Sequence, residues 1–179
     1  MFNIRWDVTK EGLLNLRKGI AYQFDSIFTP STNNKDIFEM TIKNLIDSGM
    51  KGYDGLVFCY GQTGSGKTYT MYGNKEDPGI APRAIKYLFH HIKGNSELSF
   101  KITIGFLEIY NEVVNDLLDA SKKNLALVEI AKGTVIIKDL TEVQCETQES
   151  AEEVLKLGET NKHIGSTQIN DKSSRSHTM

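Results

Sequence analysis

Residues Gly61-Gln62-Thr63-Gly64-Ser65-Gly66-Lys67-Thr68 constrain this chain more than any other segment. They satisfy the pattern G-x-x-x-x-G-K-[S/T] at every specified position. Glycines at that spacing let the backbone curl until consecutive N–H groups converge, which suits phosphate oxygens. A helix beginning near Lys67 adds the positive end of its dipole. Lys67 is long enough to reach β- and γ-phosphates, and the Thr68 hydroxyl is an oxygen ligand for Mg²⁺. A glycine-rich turn that matches by accident is the alternative reading. The flanking sequence argues against it. Gly55-Leu56-Val57-Phe58-Cys59-Tyr60 is a continuous apolar run of the kind that forms a strand buried on both faces. Residues 67–72 permit a helix, so the order is strand, loop, helix.

The rest of the chain alternates in the same way. Residues 22–28 read as a short strand, followed by a turn at Thr29-Pro30-Ser31-Thr32-Asn33-Asn34. A helix is expected over about 35–48, with Phe38, Ile42, Leu45 and Ile46 on one face and Gly49 as its stop. Residues 73–79 are a polar loop. A second helix starts near Pro82, where a missing N–H costs nothing, and carries the stripe Ile85, Leu88, Phe89 and Ile92. Phe100, Ile102, Ile104 and Phe106 alternate with polar or small residues, the period of a strand. Strands are expected over 126–130 and 134–137 around a turn at Lys132-Gly133. Ser150-Ala151-Glu152-Glu153 reads as a capping box for a helix to about 164. Residues 165–179 read as a polar loop. Alternating strands and helices imply an α/β class with a mainly parallel or mixed central sheet.

Composition narrows the partners. Lys and Arg number 21 against 23 Asp and Glu, a formal charge of −2, so no basic excess marks a nucleic-acid footprint. No apolar run is long enough to span a bilayer, and the first residues lack a signal-peptide pattern. Cys59 and Cys145 have neither disulfide-framework nor zinc spacing, and read as thiols in a reducing compartment. Length alone predicts one domain.

Asn170-Asp171-Lys172-Ser173-Ser174-Arg175-Ser176-His177 is the second unusual segment. Alone it reads as a solvated tail. Beside a phosphate loop it has another use, because a nucleotide hydrolase needs a second loop that reaches the γ-phosphate and metal. Serine hydroxyls can ligate the metal or orient a water. An arginine can hold such a loop closed through an ion pair.

These two segments resemble the phosphate loop and switch I of a kinesin motor domain. Tyr60 to Met71 is similar to that family's loop nearly residue for residue. Phe106-Leu107-Glu108-Ile109-Tyr110-Asn111-Glu112, Asp116-Leu117-Leu118 and Gly79-Ile80-Ala81-Pro82-Arg83-Ala84 are also typical. Myosins share Asn-x-x-Ser-Ser-Arg but continue Phe-Gly, whereas Ser176-His177 follows here. The resemblance covers about 20–178, with 1–19 matched poorly, and is weakly similar to the centromere-associated subfamily. It implies a P-loop NTPase fold of the kinesin/myosin type, a central mixed sheet flanked by helices. It implies ATP and Mg²⁺ as cofactors. Gly61, Gln62, Thr63, Gly64, Ser65, Gly66, Lys67 and Thr68 would hold the phosphates, and Tyr69 would lie against the adenine. Thr68 and Ser174 would ligate Mg²⁺. Asn170 and Ser173 would lie near the γ-phosphate and attacking water, and Arg175 would latch switch I to switch II. Switch I would occupy about 165–178. Lys132 and Lys138 would contact acidic tubulin, or serve only solubility.

Two family pieces have no counterpart in this sequence. No Arg-x-Arg-Pro precedes Phe24, and the Asp-x-x-Gly-x-Glu of switch II does not occur. The resemblance therefore implies a partial motor domain over 1–179. The expected function is the ATP-binding part of a microtubule motor, cytoplasmic and on the cytoskeleton, dimerised by a coiled coil outside this chain. It would bind microtubules, but neither nucleic acid nor membrane. The isolated chain is expected to be poorly stable and weakly active or inactive. The alternatives are a kinesin-like nucleotide- or partner-binding module without motor activity, and an unrelated P-loop enzyme such as a small-molecule kinase.

Overall fold

The computed structural model describes residues 6–9, 12–15, 19–94, 99–167 and 176–179. Three short strands open it, β1 (Trp6–Thr9), β2 (Gly12–Asn15) and β3 (Ile20–Tyr22), each antiparallel to the one before. The strand expected over 22–28 is not formed. β2 begins at Gly12 and its Leu13 already pairs with Tyr22, so the backbone beyond has no ladder to join.

Helical structure runs without a break from Asn34 to Gly49. It comprises α1 (Asn34–Ile37), a π-helical turn (Phe38–Ile42) and α2 (Lys43–Gly49). The Asn33 side chain accepts from the Asp36 N–H at 2.8 Å, satisfying one donor of the first turn. The expected apolar face is in place. Phe38 and Ile42 are buried against Ile80, with Ile46, Val57, Met71 and Tyr87 packed around them.

α3 (Lys67–Tyr72) and α4 (Ile80–Lys93) follow, with Pro82 in the first turn of α4. Phe89 carries α4 into a second core with Cys145, Ala151 and Val154. Ile85, Ile102, Ile104 and Val143 pack against that cluster. β4 (Ile102–Gly105) alternates in burial as its sequence alternates, and pairs antiparallel with β9 (Glu142–Cys145).

β5 (Leu107–Tyr110) and β6 (Val113–Asp116) form a hairpin. Its turn residues, Asn111 and Glu112, have φ of 49° and 63°. Two positive φ values in a two-residue turn match the twist of the flanking strands. β7 (Leu127–Ala131) and β8 (Thr134–Ile137) form the expected ribbon about Lys132-Gly133, and most of its side chains are exposed.

Two expectations near the C-terminus are corrected. α5 (Gln148–Thr167) starts one turn before the expected box. Its cap is Thr147, whose hydroxyl accepts from Ser150 N at 3.1 Å while Ser150 Oγ accepts from Thr147 N at 3.2 Å. Ser150 is thus the third-position partner of the box, not its cap. Residues 176–178, expected as loop, form β10 (Ser176–Thr178), antiparallel to β5. Leu107 N donates to Met179 O at 2.9 Å and Met179 N to Leu107 O at 3.0 Å, so backbone pairing overrides the polar side chains.

The apolar run over 55–60 is not a strand. Leu56, Phe58 and Tyr60 are 71%, 73% and 95% exposed. A strand needs a neighbour for its N–H and C=O groups, and every ladder among the described residues lies elsewhere. Those ladders are all antiparallel and form four small sheets. No helix among the described residues is long and apolar enough to cross a membrane.

Candidate phosphate-binding site

The loop that joins residue 60 to α3 is built by its glycines. Gly64 and Gly66 have φ of 79° and 92°, where a side chain is strained. A Cβ on Gly61 would meet Ser65 Oγ at 2.5 Å, so any larger residue there requires the Ser65 side chain to turn aside. Ser65 N donates to Gln62 O at 3.1 Å, and Thr70 N to Gly66 O at 2.8 Å opens α3. Lys67 turns back over the loop. Its Nζ donates to Gly61 O at 2.7 Å and to Gln62 O at 2.8 Å. These bonds occupy two of the three ammonium donors and set the charge at the mouth of the loop. Residues 62–66 and Thr68 are exposed.

Of the nearby groups, the Cys59 thiol responds to that charge. Burial pushes the Cys59 thiol up, and the Lys67 ammonium opposes it. Burial pushes the Tyr72 phenol to about 12, helped by the Glu159 carboxylate and by Cys59.

Beyond Thr68 the chain reaches a polar junction. Tyr69 is 48% exposed, and its phenol donates to Asp77 Oδ2 at 3.0 Å. Asn34 N donates to the same oxygen at 2.9 Å, and Arg83 Nη2 donates to Oδ1 at 2.9 Å. The Asn34 N–H, with help from Arg83 and Tyr69, holds the Asp77 carboxyl below the usual carboxylate range, against the smaller opposing effect of burial.

The set of donors fits a phosphate chain. Backbone N–H groups of a left-handed glycine loop, one ammonium and a helix start all favour an anion. The exposed Thr68 hydroxyl at the first helical turn is a hard oxygen of the kind Mg²⁺ takes.

The kinesin motor domain family model matches residues 5–179. The chain belongs to the kinesin family. Among curated kinesins it is 40% identical over 160 residues to Kinesin-like protein KIN-7E, chloroplastic, of Oryza sativa subsp. japonica, covering 89% of this chain and 14% of that protein. It is 42% identical over 165 residues to Kinesin-like protein KIN-7L, chloroplastic, of Arabidopsis thaliana, covering 90% and 16%. It is 36% identical over 178 residues to human Centromere-associated protein E, covering 98% and 7%. A solved fast kinesin, reported with implications for ATPase mechanism and interactions with microtubules, superposes with a TM-score of 0.86 at 33% identity. That match covers 89% of this chain and 47% of the solved one. The chain thus spans well under a fifth of these three curated kinesins. The α/β kinesin fold expected from the sequence is the fold of this chain, but among the described residues its strands pair only antiparallel, in four small sheets, and no parallel pairing is seen.

Of the residues singled out in the sequence, Gly61 to Tyr69 are brought into one loop and helix start. Asn170, Ser173, Ser174 and Arg175 lie outside the described residues. His177 sits on β10 opposite Ile109, with an exposed side chain. Lys132 and Lys138 are both exposed, one at the ribbon turn and one just past β8. Sequence reasoning missed Asn34 and Asp77. They meet across 43 residues, a separation that no local pattern signals. Arg83 stood inside a typical kinesin segment, but its partner was not legible.

Proposed function

We propose that this chain is the ATP-binding part of a microtubule motor, coupling ATP hydrolysis to movement along microtubules. The observation that carries the reading is Lys67 folded over a left-handed glycine loop, in a chain matched by the kinesin motor domain model. Gly61 to Gly66 offer backbone N–H groups to the phosphates. Lys67 balances charge on the β- and γ-phosphates, and Thr68 holds Mg²⁺. The Tyr69 ring faces the adenine. Asn170 and Ser173 serve the γ-phosphate and the attacking water, Ser174 the metal, and Arg175 the closed state of switch I. Such sites work by positioning and charge stabilisation, and no side chain here needs to act as an acid or base.

The exposed β7–β8 ribbon with Lys132 and Lys138 fits an acidic tubulin surface. We place the protein on cytoplasmic microtubules, as a homodimer through a coiled coil outside this chain, with neither nucleic acid nor membrane as partner.

The test is steady-state ATPase of the intact protein with and without microtubules, beside a K67A variant. Wild type is expected to hydrolyse ATP faster with microtubules, and K67A to lose about a hundredfold or more. Nucleotide binding with no microtubule response would favour a binding module without motor activity. Activity unchanged in K67A would sink both readings.

A further inference from the structure

Asp77 lies outside the glycine loop, yet one carboxylate joins three elements. It takes the Tyr69 phenol from α3, the Asn34 N–H from α1 and the Arg83 guanidinium from α4. Arg83 Nε donates to Pro78 O at 2.8 Å, and Asn34 Nδ2 donates to Tyr69 O at 3.3 Å. The Arg83 and Asp77 side chains are 22% and 19% exposed, sheltered enough for charge-assisted bonds to hold geometry.

α3 needs such an anchor. It has 6 residues and no side-chain cap at its N-terminus. A helix that short does not hold its own setting. At its far end Gly73 bridges Pro78 and Gly79 N donates to Tyr72 O at 2.9 Å, whereas its first turn follows Gly66 at φ 92° and relies on side-chain contacts to fix its setting. Its first three residues are Lys67, Thr68 and Tyr69. Any turn of α3 about its axis moves all three.

We propose that Asp77 is a positioning residue for the phosphate loop. Its carboxylate sets α3, and so the reach of Lys67 and Thr68 and the plane of the Tyr69 ring. Because the phenol oxygen is held by Asp77, the ring is left to offer a base its face. The inference rests on reading 61–68 as a nucleotide loop.

The experiment titrates a fluorescent ATP analogue into the intact protein as wild type, D77N, D77E, Y69F, D77N/Y69F and K67A. D77N is expected to weaken binding about tenfold and Y69F about threefold. The double variant should be no weaker than D77N, because the two changes break one shared bond. D77E should recover part of the loss. A residue that only glues the fold would lower the melting temperature of D77N, leave the affinity unchanged and add independently to Y69F. D77N within twofold of wild type, with binding lost in K67A, overturns the proposal and leaves the loop reading intact. Binding unchanged in K67A ends the loop reading and this inference with it. Should D77N not fold, Y69F decides, and wild-type affinity there overturns the proposal.

Discussion

Asp116 ends β6 and is 3% exposed. Its Oδ1 accepts from Leu118 N at 2.7 Å and Asp119 N at 3.0 Å, and its Oδ2 from Thr141 N at 2.7 Å. One carboxylate therefore ties the end of a hairpin to the start of β9, 25 residues on. Burial pushes its carboxyl up, but the bonds from Thr141, Asp119 and Leu118 outweigh it and hold the carboxyl below the ordinary range. A depressed folded value contributes stability that is present above the unfolded value of about 3.9, and is lost as pH falls through the folded one. D116N should therefore be less stable than wild type by about 2 kcal/mol at neutral pH. The gap should close as pH falls below about 4. Urea unfolding at pH 7 and pH 3 measures both, and a gap of equal size at the two pH values would refute the ionic account.

At the scale of elements, α5 shows a helix giving up propensity for contact. Gly158 sits mid-helix and is buried. Glycine there costs about 1 kcal/mol against alanine. A Cβ at that position would overlap the Phe106 ring, which is itself 5% exposed. Asn161 reinforces the docking by donating to Leu117 O at 2.7 Å. G158A gains helix propensity and loses the close approach. Overpacking of this kind outweighs the gain, and the variant should be destabilised by about 1–2 kcal/mol. Thermal unfolding checks the sign, and a more stable G158A would show that Phe106 can move aside freely. Burial on the same helix lowers the pKa of Lys162, against the opposing pull of the Glu108 and Glu159 carboxylates. Desolvation of Lys162 thus outweighs the two carboxylates that face it.

For the molecule as a whole, two small cores share the work, one around Phe38 and Ile80 and one around Phe89 and Cys145. Against them stand apolar side chains in water. Tyr53, Leu56, Phe58 and Tyr60 are all at least 70% exposed along one extended segment. The hydroxyls of Ser176 and Thr178 are buried without a hydrogen-bond partner among the described residues. Each such group costs about 1–3 kcal/mol. An extended apolar segment with open backbone groups invites pairing between molecules. The 179-residue chain produced alone is expected to self-associate, and L56T/F58T to reduce that association. Light scattering decides it. A monodisperse 20.1 kDa monomer for the unsubstituted chain would overturn the expectation.

What was legible in the sequence was whatever is local. The glycine loop, α3, the α4 stripe, the Lys132-Gly133 turn and the Phe38 and Ile42 face depend on spacings of a few residues, and each formed where expected. The register of α5 slipped by one turn because Thr147 and Ser150 are both competent hydroxyls, and only the reciprocal bonds separate them. Whether 55–60 becomes a strand, and whether 176–178 does, depends on neighbours distant in sequence. Hydrophobicity selects what should be buried, but a ladder forms only where another backbone lies within hydrogen-bonding reach. The same limit hid Asp77 and Asp116. Their importance is a matter of which donors meet one carboxylate, and in each case one donor, Asn34 N or Thr141 N, comes from a segment tens of residues away and is brought in by tertiary packing.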